Sequence, residues 1–534
     1  MPEPRHGAAR GRARIAAFGA VEMFKKVLIA NRGEIAVRVL RALREMKIAS
    51  AVVFSEADRA ALHVRLASEA YAIGPSASRE SYLSIDRIIA AAKKSRCDAI
   101  HPGYGFLSEN AAFARACKAA GIAFIGPAPE AMERLGSKTA ARQLAREVGV
   151  ATVPGTLEPL AGVDEAAAAA KNAGYPIVLK AVAGGGGKGM RRVEREGDLH
   201  AAFRDACSEA QNAFGDGRLY LEKYLYRPRH IEIQILGDEH GNMVYLGERE
   251  CSVQRRHQKV IEEAPSPIMT AALRRAMGEA AMKLAQAGGY TNAGTMEFLV
   301  DDRRNFYFLE MNTRLQVEHP VTEMVTSLDL VKLQIGVAAG ERLPFAQKDV
   351  VLRGHAIECR LYAEDPNNNF LPSPGTIREY HAPSGPGVRV DDGVYSGWTV
   401  PGEYDPMLGK LIAWGSDRAE AIARLRGAIG ETWAMGIRTN LGLLEKILAE
   451  PDFVGGEIYT RWLDDFLGSV EQPAGPSCRD SKLSIEEQAA ITAAALWHGT
   501  NGQQAADQPS SNAGSRWKIE GRLQQLNREP RRVP

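Results

Sequence analysis

A chain of 534 residues with 45% hydrophobic and 25% charged residues holds enough apolar material for three or four domains of roughly 100–200 residues each. Its 67 lysines and arginines nearly balance 65 aspartates and glutamates, which argues against a nucleic-acid or membrane-surface partner and leaves any anionic ligand to local clusters. The six cysteines are scattered without metal-ligand spacing, as expected in a reducing cytoplasm, and no apolar run reaches the roughly 18 residues of a membrane span.

Met1–Glu22, basic from Arg5 to Arg14, reads as a disordered extension, with a weak transit peptide as the alternative. Folding is expected to begin near Met23. Lys26–Ala30 reads as a strand, followed by a helix with apolar residues at Ile35, Val39 and Leu43 and a strand over Ile48–Phe54. Further strand-helix units ending at Ala99–His101 and Ala123–Gly126 predict an open parallel α/β sheet, whose post-strand loops hold ligands. The segment His101-Pro-Gly-Tyr-Gly-Phe-Leu-Ser-Glu-Asn110 is expected to be a glycine-rich turn with Ser108 capping the next helix. The pattern then becomes α+β. Strands are expected over Ile177–Val182, Leu219–Tyr224, His230–Leu236, Met243–Glu248, Thr295–Val300 and Phe306–Asn312, with long helices near Leu199–Asn212 and Ala271–Ala287. A last α/β section runs from His355 to Phe466. Beyond Val470 come a helix, Ile485–Trp497, and a linker, Gly499–Ser515.

Four constellations carry chemistry. Lys180-Ala-Val-Ala-Gly184-Gly-Gly-Gly-Lys188-Gly189 offers backbone amides to phosphate oxygens. A strand follows it where a dinucleotide fingerprint needs a helix, and Gly189 stands where a Walker motif needs Ser or Thr. It reads as a hairpin lid over a nucleotide, or as a plain flexible loop. In the next hairpin, a four-residue loop Asp302–Asn305 would pair Asp301 with Phe306 and set Glu297 opposite Glu310. Two adjacent carboxylates call for a cation such as Mg²⁺ joined to phosphates, whereas a one-residue slip would turn both to solvent. Past Glu310 the alternation persists, so in extended chain Asn312, Arg314, Gln316 and Glu318 share one face, as an anion-holding arginine with a base or as an ordinary half-exposed strand. Finally, Arg249 to Lys259 with Glu262 and Glu263 reads as an electropositive wall for a triphosphate or a small anion, or as a salt-bridged surface.

Ile29-Ala-Asn-Arg-Gly-Glu-Ile35, the His101–Asn110 segment, the Gly184–Gly189 loop, Gln254-Arg-Arg-His-Gln-Lys259, Glu310-Met-Asn-Thr-Arg314 and Gln316-Val-Glu-His-Pro320 fall in the order in which they occur in biotin carboxylase, which the chain resembles from about Met23 to Phe466. The resemblance implies a Rossmann-like N-terminal α/β domain (23–136), an ATP-grasp domain (137–345, lid about 153–225), a C-terminal domain (346–466) and a linker tail (467–534). It implies a ligase that phosphorylates bicarbonate with ATP, so that carboxyphosphate or its CO₂ carboxylates biotin on a carrier protein. By the same resemblance Lys138, Lys180, the glycines 185–187 (Gly185, Gly186, Gly187), Glu222, Lys223, Leu225, His230, Gln254, His257 and Leu299 would bind ATP, and Glu297, Glu310 and Asn312 would hold Mg²⁺ or Mn²⁺ in two sites. Lys259, Arg314, Gln316, Val317 and Glu318 would hold bicarbonate, with Glu318 as base. Arg360 would stabilise the biotin enolate and Tyr104 would frame the biotin. Ala281-Met-Lys283-Leu resembles a biotin-attachment motif, but it lies in a helical pattern rather than on a hairpin. Biotin is therefore expected on a separate carrier, with a carboxyltransferase component and a homodimer as the remaining partners.

Overall fold

The computed structural model describes residues 22–156, 158–182 and 190–470. The glycine-rich loop 184–189, the expected N-terminal extension up to residue 21 and the tail from 471, including the helix expected at 485–497, lie outside the described residues. The described residues from Glu22 to Leu467 form one compact unit.

Strands β1 (Lys26–Ile29), β2 (Ala49–Phe54), β3 (Glu69–Ala72), β4 (Ala99–His101) and β5 (Ala123–Phe124) form the expected parallel sheet, in the order β3-β2-β1-β4-β5. Helix α1 (Gly33–Glu45) buries Ile35, Val39 and Leu43 against it. This apolar stripe at helical spacing packs the helix back onto β1. The Asn31 amide donates to the carbonyls of Pro102 and Tyr104, both at 2.7 Å, locking the start of α1 to the turn after β4. Gly103 is required there: its φ is +65°, and a Cβ would lie 2.8 Å from Asn31 Nδ2. The cap of the following helix is Asn110, which accepts from the Phe113 amide at 2.9 Å; Ser108 is instead buried within the turn, two residues too early.

A three-stranded antiparallel sheet, β7 (Met190–Val193), β6 (Ile177–Ala181), β8 (Leu219–Lys223), stands beside the main body of the α+β region. That body is an eight-stranded antiparallel sheet. In sheet order its first six strands are β13 (Phe306–Asn312), β12 (Asn292–Val300), β9 (Arg229–Gly237), β10 (Met243–Arg255), β11 (Gln258–Ala264) and β14 (His355–Tyr362), and strands Met407–Gly415 and Val388–Asp392 complete it. The sheet therefore continues from the ATP-grasp-like segment into the C-terminal section through the β11–β14 ladder.

Strand β10 runs seven residues past the expected Glu248 and turns at Arg256-His257, both with positive φ (49° and 68°), into β11. The charges that suggest a surface in the sequence pair instead with residues outside that run, Arg249 with Glu232, Lys259 with Glu232 and Glu318, and Glu262 with Arg360. Arg249 is fully buried and donates to Glu232, Gln234, Thr322 and Thr295 at 2.5–3.0 Å. The extended reading past Asn312 is also corrected. The chain leaves the sheet there, turns, and enters a helix at His319–Thr326.

Candidate active site

The carboxylate pair is present, though the register expected for it is not. Asp301 belongs to the turn, its carboxylate accepting from the amides of Arg303 and Asn305, so Val300 rather than Asp301 pairs with Phe306. A bulge between Phe298↔Phe308 and Glu297↔Glu310 absorbs Leu309 and brings the glutamates opposite each other again. Glu297 accepts from Asn312 Nδ2 (2.7 Å), Lys259 Nζ (3.2 Å) and Gln316 Nε2 (3.3 Å), and His230 Nε2 lies 2.9 Å from its other oxygen. Burial works to raise its carboxyl, but Lys259 and His230 outweigh it and hold the group well below the usual range. Glu310 pairs with Lys138 Nζ at 2.8 Å, a lysine exposed at the first turn of helix Lys138–Glu147.

Below this pair lies a fully buried carboxylate, Glu318, at the start of helix His319–Thr326. Lys259 Nζ donates to one of its oxygens at 2.5 Å and Arg360 Nη2 to the other at 2.9 Å. Burial opposes ionisation, yet Lys259, Arg360 and Arg249 together keep Glu318 charged far below the normal carboxylate pKa. Lys259 also meets Glu232 at 2.7 Å, and although burial disfavours its charge, the ring of carboxylates Glu232, Glu297 and Glu318 keeps it protonated. Arg314 is held open like a fork by Glu109 (2.9 Å), the Gln316 side chain (2.9 Å) and Asn312 (3.0 Å). Arg360 is anchored from behind by Glu262 at 2.6 Å. The result is a cluster of fixed cations set among carboxylates, able to bind a small anion and, through Glu318, to accept its proton.

The remaining expected positions fall in two places. Lys180 and Arg142 (2.5 Å) both pair with Glu222 on the three-stranded sheet. Lys223, next to Glu222 but on the opposite face of β8, gives its ammonium to the carbonyls of Gly174 and Tyr175, both at 2.8 Å. Leu225 follows β8 half-buried; on the large sheet Leu299 is half-buried, Gln254 is buried near the end of β10 and His257 is exposed at the hairpin turn. The electropositive wall is not formed. Arg249 is an internal strut, Arg255 covers the Phe370 ring at 3.6 Å, and Arg256 reaches Asn369 at 3.3 Å, which leaves Lys259 as the cation of that run inside the cluster. Tyr104 donates its hydroxyl to Glu34, and Val317 offers its carbonyl to Lys410.

Sequence reasoning misses Glu232 and Glu109 altogether, and gives Glu262 no role as the anchor of Arg360. Glu232 carries a signal, since it and Gln234 alternate with Ile231, Ile233 and Ile235 on a strand buried on both faces.

Models of the biotin carboxylase N-terminal domain and C-terminal domain match residues 23–132 and 358–465, and that of the carbamoyl-phosphate synthase L chain ATP-binding domain matches 137–346. The chain belongs to the biotin carboxylase family. Biotin carboxylase of Nostoc sp. is 53% identical over 442 residues, 83% of this chain and 99% of the relative. A pyruvate carboxylase subunit of Methanothermobacter thermautotrophicus is 52% identical over 464 residues, 87% of this chain and 94% of the relative. Among solved structures, the biotin carboxylase domain dimer of Hydrogenobacter thermophilus 2-oxoglutarate carboxylase, in complex with MgADP, ADP and bicarbonate, superimposes with a TM-score of 0.77. It is 47% identical and covers 83% of this chain and 98% of its own. As a biotin carboxylase the protein is an ATP-dependent ligase, and its Rossmann-like, ATP-grasp and C-terminal layers are those of the family.

Proposed function

We propose that this chain is the biotin carboxylase component of an acyl-CoA carboxylase, acting on biotin borne by a separate carrier protein, with acetyl-CoA as the final acceptor. The observation that carries the mechanism is the buried Glu318 carboxylate between Lys259 and Arg360. Bicarbonate sits on Lys259 and Arg314, with Gln316 and the Val317 backbone closing around it. Glu318 takes its proton as a bicarbonate oxygen attacks the γ-phosphorus of ATP, giving carboxyphosphate and ADP. Arg360 faces the enolate oxygen of biotin when its ring nitrogen is carboxylated, and Tyr104 frames the ring.

The hairpin oxygens fit a hard divalent ion. Glu297 and Glu310 are paired across the strands, and the partner of Glu310 is an exposed lysine free to turn outward. Glu297, Glu310 and Asn312 would hold Mg²⁺ or Mn²⁺, in two sites, whose chemistry is to neutralise charge on the transferring phosphate. Lys138, Lys180, Glu222, Lys223, Leu225, His230, Gln254, His257 and Leu299 would contact the nucleotide. The chain would divide at 23–136, 137–345 and 346–466, and work in the cytoplasm as a homodimer with a carrier and a carboxyltransferase. Among the described residues no helix is long and apolar enough to cross a membrane.

ADP release with bicarbonate and Mg²⁺, with and without free biotin, tests this reading. Biotin should stimulate release in the wild type, and Glu318→Gln should lower it at least tenfold, about 1.4 kcal/mol of barrier. Turnover indifferent to biotin would mean another acceptor. The similarity to a pyruvate carboxylase subunit favours pyruvate as the second reading of the final acceptor. Labelled bicarbonate appearing in oxaloacetate rather than malonyl-CoA in a reconstituted system would decide for it.

A further inference from the structure

Lys410 is the only lysine among the described residues whose side chain is entirely buried, an unusual state for a flexible ammonium. It sits on strand Met407–Gly415 directly opposite Arg360 of β14, so both side chains leave the same face of the sheet. Its Nζ lies 3.1 Å from Glu34 Oε1 at the start of α1 and donates to the Val317 carbonyl at 2.8 Å. Tyr104 donates its hydroxyl to the same Glu34 oxygen, and its ring lies 5.8 Å from Nζ. Three distant stretches of chain therefore meet at one ammonium.

The carbonyl it holds is half of the peptide group whose other half is the Glu318 N–H. That group is planar, so fixing the oxygen fixes the direction in which the Glu318 backbone leaves it. One residue earlier, the Gln316 carbonyl lies 2.8 Å from His319 Nδ1. The turn that presents Gln316, Val317 and Glu318 is thus held from beneath at both of its peptide oxygens. A neutral donor would satisfy a buried carbonyl at lower desolvation cost than an ammonium. The charge is offset by Glu34 together with the buried Glu358 and the cross-strand Asp391, and of these Glu34 tethers Lys410 to the start of α1 and so to the Tyr104 turn.

We propose that Lys410 is a positioning residue for the bicarbonate-binding turn Gln316–Glu318, with Glu34 holding it in place. The assignment rests on the proposed reaction, and it goes further by making bicarbonate geometry depend on a contact between α1 and the C-terminal section. Arg360 and Lys410, as cross-strand partners, then place the enolate-facing cation and the base-bearing turn in one register.

Steady-state ADP release by wild type, Lys410→Met, Lys410→Arg and Glu34→Gln, with Tm measured for each, tests it. Lys410→Met should raise KM for bicarbonate about tenfold or more while KM for ATP stays within about twofold. Glu34→Gln should move it the same way by about threefold, and Lys410→Arg should recover part of the loss. A folded Lys410→Met enzyme with an unchanged bicarbonate KM would overturn the proposal. So would a fall in kcat with both KM values unchanged, the mark of a smaller active fraction. If Lys410→Met does not fold, Glu34→Gln decides by the same criteria; if neither folds, the group is an element of the fold and the assignment is withdrawn. Failure of the wild type to show bicarbonate-dependent release would instead remove the reaction on which it rests.

Discussion

Arg249 donates to Glu232, Gln234, Thr295 and Thr322 inside the sheet, and Glu232 in turn is one of three carboxylates around Lys259. Removing one partner of such a pair leaves a buried charge uncompensated. Arg249→Met should therefore cost about 3–5 kcal/mol, read as a lower unfolding midpoint in denaturant. The pH dependence of stability follows from the same accounting. The folded pKa values of Glu297 and Glu318 are depressed, so their contribution is complete above the unfolded value near 4.3 and is lost as pH falls through the folded ones. Glu34 behaves oppositely. Burial pushes it up to about 7, against Lys410, so its contribution is complete below the unfolded value and fades as pH rises through 7. Thermal unfolding across pH 3–9 should show loss at the acid end and a shallower decline between about pH 4.3 and 7 that levels off above neutrality, and Glu34→Gln should flatten only the latter.

At the scale of elements, the β10–β11 hairpin turns through two non-glycine residues in left-handed conformation, Arg256 and His257. That geometry favours Asn-Gly and costs other residues roughly 1–2 kcal/mol each. The double substitution Arg256→Asn, His257→Gly should raise Tm, and it should raise KM for ATP if His257 contacts the nucleotide as proposed. The β12–β13 hairpin shows how far local pattern reaches. Alternation placed both strands and located Glu297 opposite Glu310, but neither the five-residue turn built on Asp301 nor the compensating bulge at Leu309 has a signature in side-chain order. Strands with apolar alternation, such as β13, and the helix Ala271–Ala287 were legible to the residue, because the apolar period that defines each is written within its own sequence. The charged end of β10, Glu109 and Lys410 were not, because whether a charge is surface or strut depends on partners up to hundreds of residues away, as with Glu109 and Arg314.

On the scale of the whole molecule, the eight-stranded sheet has no seam where the second and third expected domains meet. The β11–β14 ladder, Ile261↔Cys359 to Ala264↔Ala356, carries it across, with Ile261, Ile357 and Cys359 buried on either side. A chain ending at residue 345 would leave β11 as an open edge over an uncovered core, and should be recovered as insoluble material rather than as a folded nucleotide-binding fragment, checked by expression and circular dichroism. The same ladder sets a timetable for biosynthesis. Cys359 is added 98 residues after the Ile261 it must pair with, which at roughly 5–20 residues per second means about 5–20 s of translation. Throughout that interval the nascent protein displays a half-built sheet to the cell. Its yield in vivo should therefore depend on chaperone supply and on codon choice between these two strands.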